Sequence, residues 1–134
     1  MSEPGPSLLV ADDSADAVET LAMLFEFDGY RVFTALDGES AWAVAERERP
    51  EAAVLDIGMP RLNGHDLARR LRATDWGREM LLVAVTGWGR EDDRVAALAA
   101  GFDHHLVKPV DATALAASLG GWVAAARARR AGGG

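Results

Sequence analysis

The sequence predicts an α/β domain built on a doubly wound parallel sheet. Two observations point there. Short β-prone runs alternate with helical patterns five times along the chain. The first, third and fourth runs are apolar throughout, as in strands covered on both faces. Such alternation places helices on either side of a parallel sheet, because each crossover returns over one face. At 134 residues, 49% of them apolar, the chain has the material for one buried core.

Taken in order, Pro4 and Pro6 mark an extended leader over residues 1–7, and Leu8-Leu9-Val10-Ala11 is the first strand. Asp12-Asp13-Ser14 follows, where Ser14 or Asp13 is suited to cap a helix. Val18, Leu21, Ala22, Leu24 and Phe25 recur at helical spacing, and Gly29 ends that helix. Tyr30 to Ala35 is the second strand. Asp37-Gly38 turns into a helix carrying Ala41, Trp42, Val44 and Ala45. Ala52 to Leu55 is the third strand, closed by Asp56. Asn63-Gly64 is a turn before the helix of Leu67, Ala68 and Leu71. Met80 to Val85 is the central strand, and Glu91 to Ala100 is a helix stopped by Gly101. His104 to Val107 is the fifth strand, which Pro109 keeps from extending. The last helix runs from Asp111 to about Leu119, where Gly120-Gly121 interrupts the pattern. Residues 122–130 either extend it or fray, and Gly132-Gly133-Gly134 is expected to be disordered. The expected organisation is a leader 1–7, one domain over 8–120 and a short basic tail over 121–134. Trp42 and Trp76 are read as packing residues.

Composition removes several functions. The chain has no cysteine, so disulfides, thiolate catalysis and zinc–thiolate sites are excluded. No apolar run reaches the roughly 18 residues of a transmembrane helix, and the N-terminus lacks a secretory pattern. The expected location is the cytoplasm, with no membrane contact. Residues 1–126 carry all 21 acidic groups but only 11 of the 14 basic ones, a net −10. A body so acidic is a poor general binder of nucleic acid, whose affinity comes from phosphate neutralisation, but suits a cation or a basic partner surface. Thirteen of the basic residues are arginine and one is lysine, Lys108.

In a doubly wound sheet the chemistry collects at the carboxyl ends of the strands. Asp12 and Asp13 stand after the first strand, Asp56 after the third, Thr86 after the fourth and Lys108-Pro109 after the fifth. Singly, each has an ordinary reading: a helix cap, a strand-end carboxylate, a strand threonine, a surface charge. Together they describe a site for phosphoryl transfer. Three carboxylates at one rim repel, so at least one stays protonated unless a cation joins them. Magnesium, a hard ion that prefers oxygen and keeps several waters, resolves that conflict. Asp13 and Asp56, with Asp12 directly or through water, are its candidate ligands. Asp56 is the candidate nucleophile, since carboxylates form aspartyl-phosphates. Lys108 offers a compact positive charge and Thr86 a hydroxyl to the phosphoryl oxygens. Loose phosphoryl transfer needs positioning and charge neutralisation above all.

From about Leu8 to Leu119 the chain resembles the receiver domain of bacterial two-component response regulators. The resemblance rests on Asp12-Asp13, on Leu55-Asp56-Ile57-Gly58-Met59-Pro60 with Asn63-Gly64, on Thr86-Gly87 and on Leu106-Val107-Lys108-Pro109, in that order at the right strand ends. It implies a flavodoxin-like (βα)5 fold with strand order 2-1-3-4-5. It implies that Asp56 takes its phosphoryl group from a histidine kinase, a histidine phosphotransfer protein or a small phosphodonor. By the same carry-over the backbone carbonyl of Gly58 completes the magnesium site and Gly87 leaves the phosphoryl group room to enter. His105 stands where many receivers carry a Tyr or Phe switch ring; it is either a titratable switch or simply another ring of suitable size. The resemblance also implies that Gly58 and Trp88 flank the path of hydrolytic water and set the phosphoryl lifetime.

Further expectations follow from the same resemblance. The protein is not an enzyme acting on a separate substrate. Its output is a protein contact on the face of helix 4, strand 5 and helix 5, made to a downstream target or a second copy in a homodimer. Leu115, Leu119, Trp122 and Val123 either form an apolar stripe there or only pack on the sheet. A haloacid dehalogenase-like phosphatase would need an acid–base Asp at the position of Gly58. A flavodoxin-like flavin site would need a glycine- and hydroxyl-rich loop after strand 1, where Asp12, Asp13 and Asp16 would repel phosphate. A Rossmann dinucleotide site would need G-x-G-x-x-G there. A binding-only pseudo-receiver and a receiver cut from a hybrid histidine kinase remain as alternatives. A stand-alone regulator is the favoured reading, since no output domain fits after Leu119.

Overall fold

The computed structural model describes residues 5–87 and 89–132; Trp88 and the terminal residues 1–4 and 133–134 lie outside the described residues. Five strands, β1 (Ser7–Ala11), β2 (Arg31–Ala35), β3 (Ala52–Asp56), β4 (Leu81–Thr86) and β5 (His104–Val107), form one parallel sheet in the order β2-β1-β3-β4-β5. Five helices connect and cover them: α1 (Ala15–Phe27), α2 (Gly38–Glu48), α3 (Gly64–Arg72), α4 (Glu91–Ala100) and α5 (Ala112–Gly132). The expected fold class and strand order are therefore found.

The period-2 alternation of strand side chains sorts the core into two layers. Leu9, Ala11, Ala53, Leu55, Leu82 and Ala84 meet the α2, α3 and α4 side. Leu8, Val10, Val54, Leu81, Val83 and Val85 meet α1 and α5, whose Val18, Phe25, Leu115 and Leu119 fill the other layer. Every residue of β3 and β4 is buried, which explains why those runs show no polar alternation.

Local chemistry sets the helix ends. The hydroxyl of Ser14 accepts from the Ala17 amide and caps α1, so Asp13 is released from that task and stays exposed. Asp37 and Asn63 cap α2 and α3 in the same way. Gly101, in the left-handed region at φ 116°, ends α4. Trp42 and Trp76 pack as expected: their rings lie 5.7 Å apart against the α2–α3 core, with Arg70 and Arg49 over their faces.

The last helix departs from its sequence reading. It runs unbroken through Gly120-Gly121 to Gly132. Two glycines cost a helix about 1 kcal/mol each relative to alanine. Burial outweighs that cost, because Leu115, Leu119, Val123 and Ala126 all face the sheet layer and are buried. The same observation settles the apolar stripe: three of its four members pack inward, and Trp122 stacks on His104 of β5 at 3.8 Å. The basic tail residues are fixed as well. Arg127 Nη2 and Arg130 Nη2 both donate to the Glu51 carboxylate at 2.8 Å, tying the end of α5 to the start of β3. The Arg127 hydrogen bond, helped by both guanidinium charges, holds the Glu51 carboxyl below its ordinary range despite burial.

His104 and His65 share a physical consequence. Burial lowers the pKa of each imidazole; nearby Asp103 opposes this at His104, and Arg69 reinforces it at His65. The folded state therefore binds these protons less readily than the unfolded chain. Their contribution to stability is full above the unfolded imidazole value of about 6.5 and is lost as pH falls below it. NMR titration of the ring protons should place His104 and His65 below that value. His104→Phe, which keeps a ring against Trp122, should make the acid-side loss of Tm shallower.

Candidate functional site

Strand register brings the predicted residues to one rim. Ala11 of β1 pairs with Leu55 of β3, so Asp12 and Asp56, one residue on, stand side by side. Asp56 lies opposite Val85 of β4, and Thr86 pairs with Val107 of β5, which puts Lys108 just beyond. The backbone continues the ladder past the strands. The Asp12 amide donates to the Ala35 carbonyl at 3.2 Å, and the Lys108 amide donates to the Thr86 carbonyl at 2.7 Å. The Lys108–Pro109 peptide is cis.

Asp12, Asp56 and Thr86 are the buried polar residues among the described ones, at 6%, 6% and 3% exposure. Lys108 Nζ reaches both carboxylates, at 3.1 Å from Asp12 Oδ2 and 3.4 Å from Asp56 Oδ2. Their other oxygens are held by the backbone. The Ser14 amide donates to Asp12 Oδ1 at 2.9 Å, and the Gly58 amide donates to Asp56 Oδ1 at 3.2 Å. Asp13 completes the cluster from the exposed side: one carboxylate oxygen from each of Asp12, Asp13 and Asp56 lies within 4.8 Å of the others.

The electrostatics are strained in favour of a cation. Burial pushes the Asp56 carboxyl above its ordinary range, and the Asp12 charge pushes it further; the Gly58 amide and Lys108 oppose this without cancelling it. Burial also works against the Lys108 charge. Its hydrogen bond to Asp12 and the charges of Asp56 and Asp12 more than offset that, so the ammonium is held above its usual value. One ammonium thus serves two carboxylates, with a third beside them. An oxygen-only donor set with excess negative charge fits a hard divalent ion such as Mg2+.

The remaining predicted residues fall as follows. A Cβ at Gly87 would meet no atom within 4 Å, so the space beside Thr86 is open. Gly58 is exposed on the loop after β3, and a Cβ there would lie 3.9 Å from Asp56 Oδ1. Trp88 lies outside the described residues. His105 does not join the carboxylate rim. It occupies the opposite sheet face from His104, with a buried Nε2 that has no hydrogen-bond partner among the described residues. His65 of α3 is in the same condition at Nδ1, and the two rings are close enough to interact electrostatically. Nothing in the sequence pattern singles out His65, because helical spacing alone does not show which strand it will face. Ser14 was legible as a cap but not as the amide that orients Asp12.

A family model described as the response regulator receiver domain matches residues 8–120. The chain is 41% identical over 104 residues to the transcriptional regulatory protein PrrA of Mycobacterium tuberculosis, covering 78% of this chain and 44% of PrrA. It is 38% identical over 104 residues to an uncharacterised 14.6 kDa protein of the sodA1 3′ region in Leptolyngbya boryana, covering 78% of this chain and 79% of that one. Among solved structures, the receiver domain of a Pseudomonas aeruginosa sensor histidine kinase is 31% identical at a TM-score of 0.81, covering 90% of this chain and 98% of that one. That structure has a magnesium ion coordinated in its active-site cleft. A CheY-like receiver domain protein of Methanospirillum hungatei gives a TM-score of 0.86 at 25% identity, covering 93% and 98% of the two chains.

A buried carboxylate beside another one costs stability, as groups kept for function often do. The penalty from Asp56 is absent below the unfolded carboxyl pKa and grows as pH rises through its raised folded value. Asp56→Asn should therefore raise the metal-free Tm at neutral pH. Calorimetry down the pH scale should show the gain vanish through the ordinary carboxylate range.

Proposed function

The chain belongs to the response regulator receiver domain family, and from that premise we propose that Asp56 is the phosphoacceptor of a two-component relay. The observation that carries this is the shared Lys108 ammonium, 3.1 Å from Asp12 and 3.4 Å from Asp56 at the carboxyl edge of the sheet. With Gly58 N–H on Oδ1 of Asp56, the carboxylate is oriented and its Oδ2 edge points to Lys108 and the open rim. Asp12, Asp13 and Asp56, with the Gly58 carbonyl, would hold Mg2+, which supplies charge neutralisation to the phosphoryl oxygens.

The protein's own groups account for the rest. An Asp56 oxygen attacks phosphorus as the bond to the donor breaks: the P–N bond of a phosphohistidine or the P–O bond of an acyl phosphate. The leaving imidazole or carboxylate departs with that electron pair. Lys108 turns from the two carboxylates toward a phosphoryl oxygen. The hydroxyl of Thr86 donates to another, and the space beside Gly87 admits the group. The new charge of roughly −1.5 to −2, by analogy with other phosphorylated side chains, draws both residues inward. No separate substrate is turned over: the domain promotes only its own phosphorylation and dephosphorylation.

The movement of Thr86 and Lys108 is read on the surface they adjoin. Val107, one residue before Lys108 and paired with Thr86, is an exposed apolar residue of β5, and Val95 and Leu98 are exposed on α4. Beside Val107, between β5 and the start of α5, a groove of about 220 Å³ is lined by Leu106, Val107, Pro109, Val110 and Trp122. A downstream protein is the proposed occupant. The chain spans less than half of PrrA, so that regulator's action on transcription does not transfer with the match.

Intact-mass measurement after incubation with Mg2+ and acetyl phosphate or phosphoramidate tests the reading. One phosphoryl group should be gained, and none by Asp56→Asn or in the presence of a chelator. Lys108→Ala should bind Mg2+ yet lose most of the gain. A protein that neither binds Mg2+ nor gains mass is a binding-only pseudo-receiver, and the proposal fails.

A further inference from the structure

The loop that carries Gly58 is held in place by a helix outside the site. Residues 57–63 join β3 to α3. At its base the loop closes on itself, for the Gly64 amide donates to the Ile57 carbonyl at 2.9 Å. A Cβ at Gly64 would lie 2.7 Å from Ile57 Cα and 2.9 Å from the Asp56 carbonyl oxygen. The outer limb, Pro60-Arg61-Leu62, rests on the first turn of α2. There the Gly38 amide donates to the Pro60 carbonyl at 3.2 Å. A Cβ at Gly38 would come 1.7 Å from the Leu62 carbonyl oxygen and 2.5 Å from its carbon. Both are backbone atoms, so no change of side-chain rotamer relieves the overlap.

Two further contacts fix the limb. Met59 and Leu62 are buried in the same core layer as Ala41 and Ala45 of α2, so the limb cannot slide outward without opening that layer. Asp37, the cap of α2, lies 3.9 Å from Arg61, whose φ of 71° marks a tight left-handed turn. Glycine is a poor residue for a helix, and within α2 nothing calls for it at position 38. The bare approach to Leu62 does. Residues that support a metal-binding loop set metal affinity although they touch neither metal nor substrate.

We propose that Gly38 is a positioning residue of the phosphoacceptor site: its bare Cα seats the Pro60–Leu62 turn and thereby sets where the Gly58 carbonyl meets the metal. The proposal rests on reading Asp12, Asp13, Asp56 and the Gly58 carbonyl as the Mg2+ site. It makes the N-terminus of α2 a determinant of Mg2+ affinity. It separates that affinity from the chemistry at Asp56, which the brace does not touch.

Calorimetric titration with Mg2+ on the full chain tests it, comparing wild type, Gly38→Ala and Gly120→Ala. The last is a matched control, because a Cβ at Gly120 meets nothing within 4 Å. Gly38→Ala should weaken Mg2+ binding by about tenfold or more, the order seen when support around metal ligands is lost. Gly120→Ala should leave it unchanged. Acetyl phosphate should label Gly38→Ala slowly at limiting Mg2+ and at nearly the wild-type rate at saturating Mg2+. Coupling is reciprocal, so Mg2+ should also slow hydrogen exchange at the Gly38 amide of the wild type. That measurement decides the matter if Gly38→Ala does not fold. Unchanged affinity in a folded Gly38→Ala, or a Gly38 amide indifferent to bound Mg2+, overturns the brace and leaves the phosphoacceptor reading standing. A wild type that binds no Mg2+ overturns both.

Discussion

Two carboxylates on neighbouring strands share one ammonium, and the rest of the site follows from that shortage of positive charge. Asp12 and Asp56 are brought together by the parallel register of β1 and β3, not by sequence proximity. Both are buried, and Lys108 reaches both. Burial and the Asp12 charge make the Asp56 carboxyl harder to ionise, and Asp13 adds a further carboxylate at the rim. In the proposed function, a divalent cation or a transferred phosphoryl group changes the charge balance that Lys108 spans. The sheet supplies the rigidity that keeps the groups from drifting apart, because β3 and β4 are buried along their whole length.

Backbone, more than side chains, holds this arrangement. The amides of Ser14 and Gly58 orient Asp12 and Asp56, and the Lys108 amide is fixed to the Thr86 carbonyl. The loop with Gly58 is pressed between Gly64 at its base and Gly38 on α2. Such contacts are insensitive to rotamer and salt, unlike the exposed ion pairs on the helices, of which Arg78–Asp75 and Arg94–Glu91 are worth little.

Much of this was legible in the sequence. The uninterrupted apolar runs identify β1, β3 and β4, and the polar residues one step past them mark Asp12, Asp56 and Thr86 as the candidate site. Lys108 stands out as the sole lysine of an arginine-rich chain. What the sequence hid has a common cause: it depends on contacts between distant segments. Gly120-Gly121 looks like a helix stop, yet burial of Leu119, Val123 and Ala126 carries α5 through it, and Glu51 anchors its end. Asp37-Gly38 looks like an ordinary turn into a helix, and only the approach of Leu62 shows why glycine is there. Nothing in the sequence singles out His65, and only the fold brings it to Phe102 and His105.

The central claim is that the fold holds Asp56 in a state of unmet charge that a metal relieves. Carbon-13 NMR titration of the Asp56 carboxyl, without and with saturating Mg2+, measures this directly. The account predicts a metal-free midpoint above the ordinary carboxylate value of about 3.9, falling below it when Mg2+ is bound. A midpoint at or below the ordinary value without metal, unmoved by Mg2+, would contradict it.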